Sequence, residues 1–336
     1  MIDDVAGNNI AVWPIWGHEH AVRELHAASV RGPRHAYILS GFEHLGKHTI
    51  ARTFAQSLLC QQPSSPGVPC LECSACRRVH RGSHPDCSLF DLERQAQMAE
   101  KSTTSRNLTL NIQTVREITS GLAMRPMESR FRVVIVDDVE TMQETAQEAF
   151  LKTLEEPPAY AVILLLTTDA ELLLDTIRSR AMTVHLQNVP AERIQAGLVT
   201  QGIDSEKAAQ LATLSDGRPG WAIRAAKRED MLTERLDIQT AAVRWIDAER
   251  YYQLAEATRL GDAFGKDREA VFDRLTAVQR ELHQRLVTDL TVPQSQIRDN
   301  VKALTSIDMC FRDLDANVRP KLALQTMVLQ WPITNQ

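Results

Sequence analysis

Continuous apolar runs alternate with helical repeats along the first half of the chain. The run at 133–136 is β-branched with no polar alternation, which fits a strand buried on both faces of a parallel sheet. Apolar residues spaced three and four apart predict helices between such runs. The predicted strands are 35–40, 133–136, 162–168 and 182–186, and the predicted helices are 21–28, 50–59, 112–123, 141–156 and 172–177. Buried strands separated by helices specify an α/β fold with a doubly wound parallel sheet.

The pattern changes to helices alone after Pro190. Three short helices are predicted first, at 191–201, 205–215 and 220–226. Amphipathic helix then continues over 230–329, with breaks expected near Gly261, Gly265 and Pro293. We therefore expect three domains, with boundaries 1–188, 189–228 and 229–336.

Composition limits the possible functions. A chain of 336 residues is longer than one hydrophobic core usually serves, and 43% apolar residues support globular packing. A net charge of −5 provides no global basic field, so any contact with nucleic acid must be local. The acidic N-terminus lacks an apolar signal segment, and the longest apolar run, 161–166, is too short to span a bilayer. A soluble, cytoplasmic protein is expected.

A candidate phosphate-binding loop follows the first predicted strand. Gly41 and Gly46 precede Lys47 with the spacing of a P-loop, between a strand and a helix. Backbone N–H groups and the helix N-terminus can hold phosphates there, with Lys47 reaching the β- and γ-oxygens. His48 occupies the place of the hydroxyl residue that would bind Mg²⁺, although Thr49 is adjacent. A glycine turn without any ligand is the plain alternative.

Polar residues also follow two other predicted strands. Asp137 and Asp138 come directly after the strand at 133–136, where nucleotide-binding proteins hold Mg²⁺ or orient water. Thr168 ends another strand, where a hydroxyl can sense a γ-phosphate. A strand-ending turn is the plain alternative for the two carboxylates, and a simple strand end fits the spacing of Thr168 equally well. Thr141, with Glu144 three residues later, predicts a capping box for the helix that Pro157-Pro158 stops.

Five of the six cysteines lie between Cys60 and Cys87. Clustering of this kind suits a metal site in a reducing compartment better than a disulfide framework. The predicted ligands of a closed structural Zn²⁺ site are Cys60, Cys70, Cys73 and Cys76. Unligated thiols and an iron–sulfur cluster are the alternatives, and His80, His84 and Cys87 are spare ligand candidates. Cys310 is expected in a core.

Several of these strings together resemble the AAA+ clamp-loader family of bacterial DNA polymerase III. The resemblance covers most of the chain, and its most specific string is LKTLEEPP, followed by a Ser-Arg pair. The strings are His35-Ala36-Tyr37, the four cysteines at 60, 70, 73 and 76, His84-Pro85-Asp86, Asp137-Asp138, Leu151–Pro158 and Thr176–Arg180.

The resemblance implies roles for each part of the chain. Residues 1–188 would be an AAA+ core with a zinc module at about 60–76, residues 189–228 a helical lid, and residues 229–336 a collar that assembles subunits. Arg180 would act in trans on ATP held by a neighbour, although an ion pair with a carboxylate such as Asp175 would be its plain role. The implied partners are the ATPase motor subunits, the delta subunit, the sliding clamp and primed DNA.

Departures from the ATPase members decide between branches of this family. Motor subunits carry Ser or Thr at the place of His48, usually Glu at Asp138, and an arginine at Gly220. The family's Ser-Arg-Cys string keeps its arginine here but ends in Ala181. The chain is therefore most similar to the delta-prime branch, which helps to load the clamp without hydrolysing ATP. A degenerate nucleotide site is implied at Gly41, Gly46, Lys47, Thr49, Asp137, Asp138 and Thr168.

Two alternatives remain at this point. One is an ATP-hydrolysing motor subunit of the same loader, which predicts ATPase activity in the isolated chain. The other is a zinc-containing nucleic-acid-binding module without nucleotide, which predicts affinity for DNA in the absence of partners. The acidic charge balance argues against the second.

Overall fold

A computed structural model of the protein describes residues 13–99, 109–288, 294–316 and 318–332. The acidic N-terminus, residues 100–108 of the polar segment 91–111, for which the sequence predicts a surface loop or short helix, and the break expected near Pro293 lie outside these residues. The chain divides into two compact units, an N-terminal unit of Met1–Lys227 and a C-terminal unit of Arg228–Gln336. In the described ranges no helix is long and apolar enough to cross a membrane.

The N-terminal unit is built on a parallel five-stranded sheet. Its order is β2-β3-β4-β1-β5, so strands distant in sequence are neighbours and helices connect them. The strands are β1 (Ala36–Ser40), β2 (Cys87–Phe90), β3 (Arg132–Val136), β4 (Ala161–Thr167) and β5 (Met182–His185). The predicted doubly wound parallel sheet is thereby confirmed.

Two apolar cores cover the sheet, one on each face. Alternate residues of β3 point to opposite faces, so Val133 and Ile135 join one core while Val134 and Val136 join the other. This is why the strand carries no polar alternation. The helices of the unit are α1 (Glu19–Arg31), α2 (Lys47–Leu59), α3 (Ser74–His80), α4 (Leu92–Ala99), α5 (Ile112–Ala123), α6 (Glu144–Glu155), α7 (Asp175–Arg178), α8 (Ala191–Thr200), α9 (Ser205–Leu214) and α10 (Pro219–Lys227).

Some predicted local features of the N-terminal unit are wrong. Thr141 does not cap α6, because its hydroxyl donates to the Asp138 carbonyl oxygen at 2.7 Å within a short 3₁₀ turn. Gln143 precedes the helix instead, without a side-chain cap. The helix predicted at 172–177 is divided into a 3₁₀ turn, Ala170–Leu172, and the single turn of α7. Strand β2 was missed because it is a short edge strand with mostly half-buried residues.

The C-terminal unit consists of helices around one apolar core. These helices are α11 (Glu229–Asp247), α12 (Arg250–Ala263), α13 (Arg268–Thr288), α14 (Gln294–Asp315) and α15 (Pro320–Leu329). Cys310 is buried in this core, as predicted. Gly261 does not break a helix, since it lies within α12. A Cβ atom there would lie 2.7 Å from the Cα atom of Lys321, so glycine permits α12 and α15 to pack closely.

Candidate functional site

The candidate nucleotide site lies at the carboxyl ends of adjacent strands. Because β4 stands between β3 and β1, the segments that leave these three strands emerge side by side. They carry the loop beginning at Gly41, the carboxylates at 137 and 138, and Thr168. Open α/β sheets bind ligands at this edge, so the fold brings the sequence-predicted groups to one place.

Lys47 is the first residue of α2 and is held inside its own loop. Its ammonium group donates to the carbonyl oxygens of Gly41 at 2.6 Å and Phe42 at 3.2 Å. Burial lowers the Lys47 pKa, although carboxylates led by Asp137 raise it. Gly46 precedes the helix with φ of 98°, a left-handed conformation that favours glycine. The described loop is thus closed on itself, and its lysine satisfies backbone acceptors.

The carboxylates beside this lysine have perturbed pKa values. Burial raises the pKa of Asp137, and burial together with the Asp137 and Glu140 charges raises the pKa of Asp138 to about 6. Asp138 adopts a left-handed backbone conformation with φ of 51°. Its N–H donates to Oδ1 of Asp137 at 3.0 Å. The pair can hold a cation, because like charges in a half-buried cluster are relieved by a positive ion.

Glu140 belongs to this cluster and was not predicted. Its Oε1 accepts hydrogen bonds from the backbone N–H of Thr168 at 2.9 Å and from the Thr168 hydroxyl at 2.5 Å. The Thr168 hydroxyl is therefore engaged by a carboxylate in this structure. The only sequence signal was the third carboxylate of the string Asp137-Asp138-Val139-Glu140.

Helix α10 packs directly on the phosphate-binding loop. The Gly220 N–H donates to the His44 carbonyl oxygen at 2.8 Å. A Cβ atom on Gly220 would lie 2.8 Å from that same oxygen, so a side chain there requires the loop to move. One turn later, Arg224 contacts the His44 ring, with 2.9 Å to Nε2. Arg218 also places its guanidinium 5.9 Å from the centre of the Phe42 ring.

The two residues after Lys47 differ in their surroundings. His48 is half-buried, and burial together with the Arg52 charge lowers its pKa, so a neutral imidazole occupies the place expected for a hydroxyl. Thr49 is exposed and lines a separate cavity with residues of α2 and α3. The Thr49 hydroxyl therefore lines a cavity other than the candidate nucleotide site.

Arg180 follows α7 and is partly exposed. Its guanidinium donates to the Thr176 carbonyl oxygen at 2.8 Å and forms an ion pair with Glu155 at 2.8 Å. Asp175, the partner considered from the sequence, pairs instead with Arg178. Glu155 belongs to the string Leu151–Pro158, so this ion pair connects two of the strings that carry the family resemblance.

The four predicted zinc ligands converge. The Sγ atoms of Cys60, Cys70, Cys73 and Cys76 all lie within 4.8 Å of one another. Cys60 Sγ is 3.6 Å from Cys70 Sγ and 3.9 Å from Cys73 Sγ. Tetrahedral Zn²⁺ with bonds of about 2.3 Å would place sulfurs roughly 3.8 Å apart, so the cluster fits such an ion.

Backbone donors support the cysteine cluster. The N–H groups of Cys70, Cys73 and Cys76 point to Sγ of Cys60, Cys70 and Cys73 at 3.3–3.4 Å. Burial raises the pKa of the Cys73 thiol, but N–H donors from Cys76 and Gln61 outweigh it and lower this pKa to about 6. Among the described residues, no spare candidate joins the cluster, and Cys87 lies in β2. The cluster is a candidate structural metal site.

Asp86 of the His84-Pro85-Asp86 string has a structural position. Its fully buried carboxylate accepts hydrogen bonds from the backbone N–H groups of Met127, Glu128 and Ser129 at 2.7, 2.9 and 3.0 Å. The Arg132 guanidinium lies 3.8 Å away. Asp86 thus anchors the segment that leads into β3.

Comparison with known proteins gives one family match and several relatives. Residues 17–190, just over half of the chain, match the family described as "DNA polymerase III, delta subunit". DNA polymerase III subunit delta' of Pseudomonas aeruginosa is 33% identical over 190 residues, covering 55% of this chain and 53% of that protein. Subunit gamma of Buchnera aphidicola subsp. Acyrthosiphon pisum is 32% identical over 198 residues, covering 57% and 51%. The chain thus spans about half the length of these curated relatives.

Similar solved structures are more distant in sequence. A DNA polymerase III gamma subunit-related protein from Thermotoga maritima is 21% identical and aligns over 92% of this chain and 97% of its own, with a TM-score of 0.45. The RuvB Holliday junction branch migration motor of the same organism is 20% identical over 65% of this chain and 63% of its own, with a TM-score of 0.42.

Proposed function

Since the chain belongs to the DNA polymerase III delta-subunit family of clamp-loader proteins, we propose that it acts as a delta-prime-type subunit. In this role it helps to load the sliding clamp onto primed DNA. It supplies Arg180 to ATP on a neighbouring motor subunit and does not hydrolyse ATP itself. Its partners are the motor subunits and the delta subunit, and it meets the clamp and DNA through the assembled complex.

The contact between Gly220 and the loop is the observation that carries this proposal. Gly220 donates to the His44 carbonyl oxygen, and there is no space for a Cβ atom. Motor subunits carry an arginine at this position, whereas this chain has Gly220, and the nearby Arg218 and Arg224 contact Phe42 and His44 of the loop. Helix α10 instead rests on a loop whose Lys47 already bonds its own carbonyl groups. The arrangement favours a subunit with a closed, degenerate site.

The chemistry at 48 and 138 supports the same conclusion. Mg²⁺ prefers hard oxygen ligands, and the imidazole of His48 does not replace a hydroxyl oxygen. Asp138 has a shorter side chain than the glutamate expected at the water-orienting position, so its carboxylate reaches less far. Both changes reduce hydrolysis even if a nucleotide enters.

Arg180 retains the features that a finger in trans requires. A guanidinium is permanently charged and can bind γ-phosphate oxygens with two parallel hydrogen bonds. The Thr176 carbonyl and Glu155 hold it in one orientation at a partly exposed position. Neighbouring phosphate would compete with Glu155 for the guanidinium. We accordingly assign the Glu155 pair as a resting position.

The remaining parts take supporting roles in this proposal. Residues 1–188 form the AAA+ core, 189–228 the lid and 229–336 the collar that joins the subunits. The four cysteines would hold a structural Zn²⁺ that fixes α3 against α2. The C-terminal helices surround one apolar core, and we assign them the assembly role that the family resemblance implies.

Isolated protein tests the claim that this chain does not hydrolyse ATP. We expect turnover indistinguishable from that of an Asp137→Ala variant, measured as phosphate release with and without primed DNA. A motor subunit of the same loader serves as the positive control. Wild-type turnover at the motor-subunit rate, abolished by Asp137→Ala, would contradict the proposal.

A motor subunit of the same loader is the second candidate. Similarity to the gamma subunit at 32% identity is as strong as that to delta' at 33%, which favours keeping this candidate. Lys47 and Asp137 are also both present near the loop. The ATPase measurement above separates the two candidates.

A further inference from the structure

A second, basic cavity lies outside the candidate nucleotide site. It has a volume of about 420 Å³ and is lined mostly by residues of α2 and α3, together with Pro14, Leu71 and Arg81. We call it the basic groove and define it by Arg52, Arg77, His80 and Arg81. None of the residues that line it carries a carboxylate. This is a local concentration of positive charge on a chain whose net charge is −5.

A buried hydrogen bond between the two helices fixes the backbone positions from which these cations extend. Gln56 of α2 is buried and donates to the Cys76 carbonyl oxygen of α3 at 2.9 Å. Arg77 and Arg81 are four residues apart, which corresponds to about 6 Å along a helix. Arg52 approaches the same space from α2. The groove therefore presents cations along a line and not at a single point.

Within the described part of the chain, the groove arginines Arg52, Arg77 and Arg81 form no ion pair, whereas neighbouring Arg78 pairs with Glu128. Arg52 is half-buried, and burial lowers its pKa. Holding a partly desolvated guanidinium without a counter-charge costs free energy. A bound anion would offset that cost.

We propose that the basic groove binds the phosphodiester backbone of a nucleic acid. Guanidinium groups bind phosphate oxygens with two parallel hydrogen bonds. Cations one helical turn apart can contact successive phosphates of a nucleic acid backbone. A single small anion does not provide two phosphates at this spacing. Pro14 and Leu71 are the large apolar residues of the lining, so the groove offers little to anchor a docked peptide.

This inference goes beyond the proposed function, because it assigns a direct contact that needs neither ATP nor other subunits. The test uses the isolated full-length chain and a fluorescein-labelled 20-base-pair duplex, with binding measured by fluorescence anisotropy at several salt concentrations. An Arg52→Ala/Arg81→Ala variant removes two groove charges. Its matched control, Arg298→Ala/Arg312→Ala, removes two exposed charges of α14.

The groove variant should bind the duplex about tenfold more weakly or worse, as expected for lost charge-assisted hydrogen bonds. Its slope of log K against log salt should decrease by about 1.8, or roughly 0.9 per phosphate contact. The control variant should match wild type. An Arg52→Gln/Arg81→Gln variant, with circular dichroism matching wild type, covers the case in which the alanine variant fails to fold.

Four results would overturn the proposal. The first three are no binding by wild type at low salt, equal losses in the groove and control variants, and displacement of the duplex by oligoglutamate as effectively as by unlabelled duplex. The fourth is displacement of the duplex by inorganic phosphate or ATP at concentrations as low as those that unlabelled duplex requires, which would show a small-anion site. ATPase or clamp-loading results that contradict the proposed function would not change the outcome of these binding measurements, because the isolated chain binds the duplex without ATP or other subunits.

Discussion

Removing the charge of Asp86 should destabilise the N-terminal unit. Its buried carboxylate accepts three backbone hydrogen bonds from residues 127–129. Asp86→Asn retains the shape but places an N–H₂ group against N–H donors. A hydrogen bond to a buried charged group is worth about 1.5–3 kcal/mol. We expect a loss of about 3 kcal/mol in the free energy of unfolding, because one of the two oxygens is replaced.

Thermal and urea unfolding measure this effect. For a unit of this size, about 3 kcal/mol corresponds to a fall in Tm of roughly 6–12 °C. Asp175→Asn is a matched control, because it removes one carboxylate at an exposed position. Its effect should stay below about 1 kcal/mol.

The pH dependence adds a second test with a definite sign. Burial raises the pKa of Asp86, but its three N–H donors outweigh burial and hold the pKa below its usual 3.8. A carboxyl group whose pKa is lower in the folded state stabilises the fold at pH values above its pKa in the unfolded chain. This contribution is lost as the pH falls through the pKa of the folded state. The stability difference between wild type and Asp86→Asn should therefore be constant from pH 7 to about 5 and shrink below 3.8. A difference that grew on acidification would refute the reasoning.

Two further predictions concern the zinc site and the C-terminal unit. Cys73→Ser should lower the Tm and reduce the bound zinc, measured by elemental analysis, below about one ion per chain. Wild type that is purified without chelator and contains no stoichiometric zinc would contradict the site. Deleting residues 228–336 should leave a folded N-terminal unit that does not co-purify with the other clamp-loader subunits, and stoichiometric co-purification of the truncated chain would contradict the assembly role.

Local periodicity was sufficient to predict most of the fold. The buried runs and helical repeats gave the sheet class, because a strand covered on both faces must be apolar throughout. The short edge strand β2 lacks that signature, since most of its residues are only half-buried. Gly261 was misinterpreted because glycine both breaks helices and allows close helix packing, and only the position of Lys321 distinguishes these cases.

The candidate site was predicted as a set of residues but not as a set of contacts. Cysteine spacing predicted that these four thiols converge, because the cysteines are near in sequence. The pairing of Glu140 with Thr168 and of Glu155 with Arg180 depends on which strands are adjacent. Gly220 and His44 are in contact although they are farther apart in the sequence than either of these pairs. Such contacts follow from packing, which periodicity does not specify.

The proposed action of Arg180 on a neighbouring ATP site is tested most directly in the reconstituted clamp loader. Arg178→Ala is the matched control, because Arg178 is a nearby arginine that pairs locally with Asp175 and Glu171. Glu155→Ala is a second control that removes the resting partner but keeps the guanidinium. DNA-stimulated ATP turnover and the rate of clamp loading are measured for each complex.

Arg180→Ala should leave zinc content and Tm near wild type while reducing turnover at one ATP site. An arginine finger accelerates hydrolysis about 10³–10⁵-fold at a single GTPase site. Total ATP turnover of the complex should therefore fall by the fraction that this one site contributes. The rate of clamp loading should fall further. Arg180→Lys should restore little, and both controls should load clamps normally. A complex with Arg180→Ala that loads clamps at the wild-type rate would contradict the account.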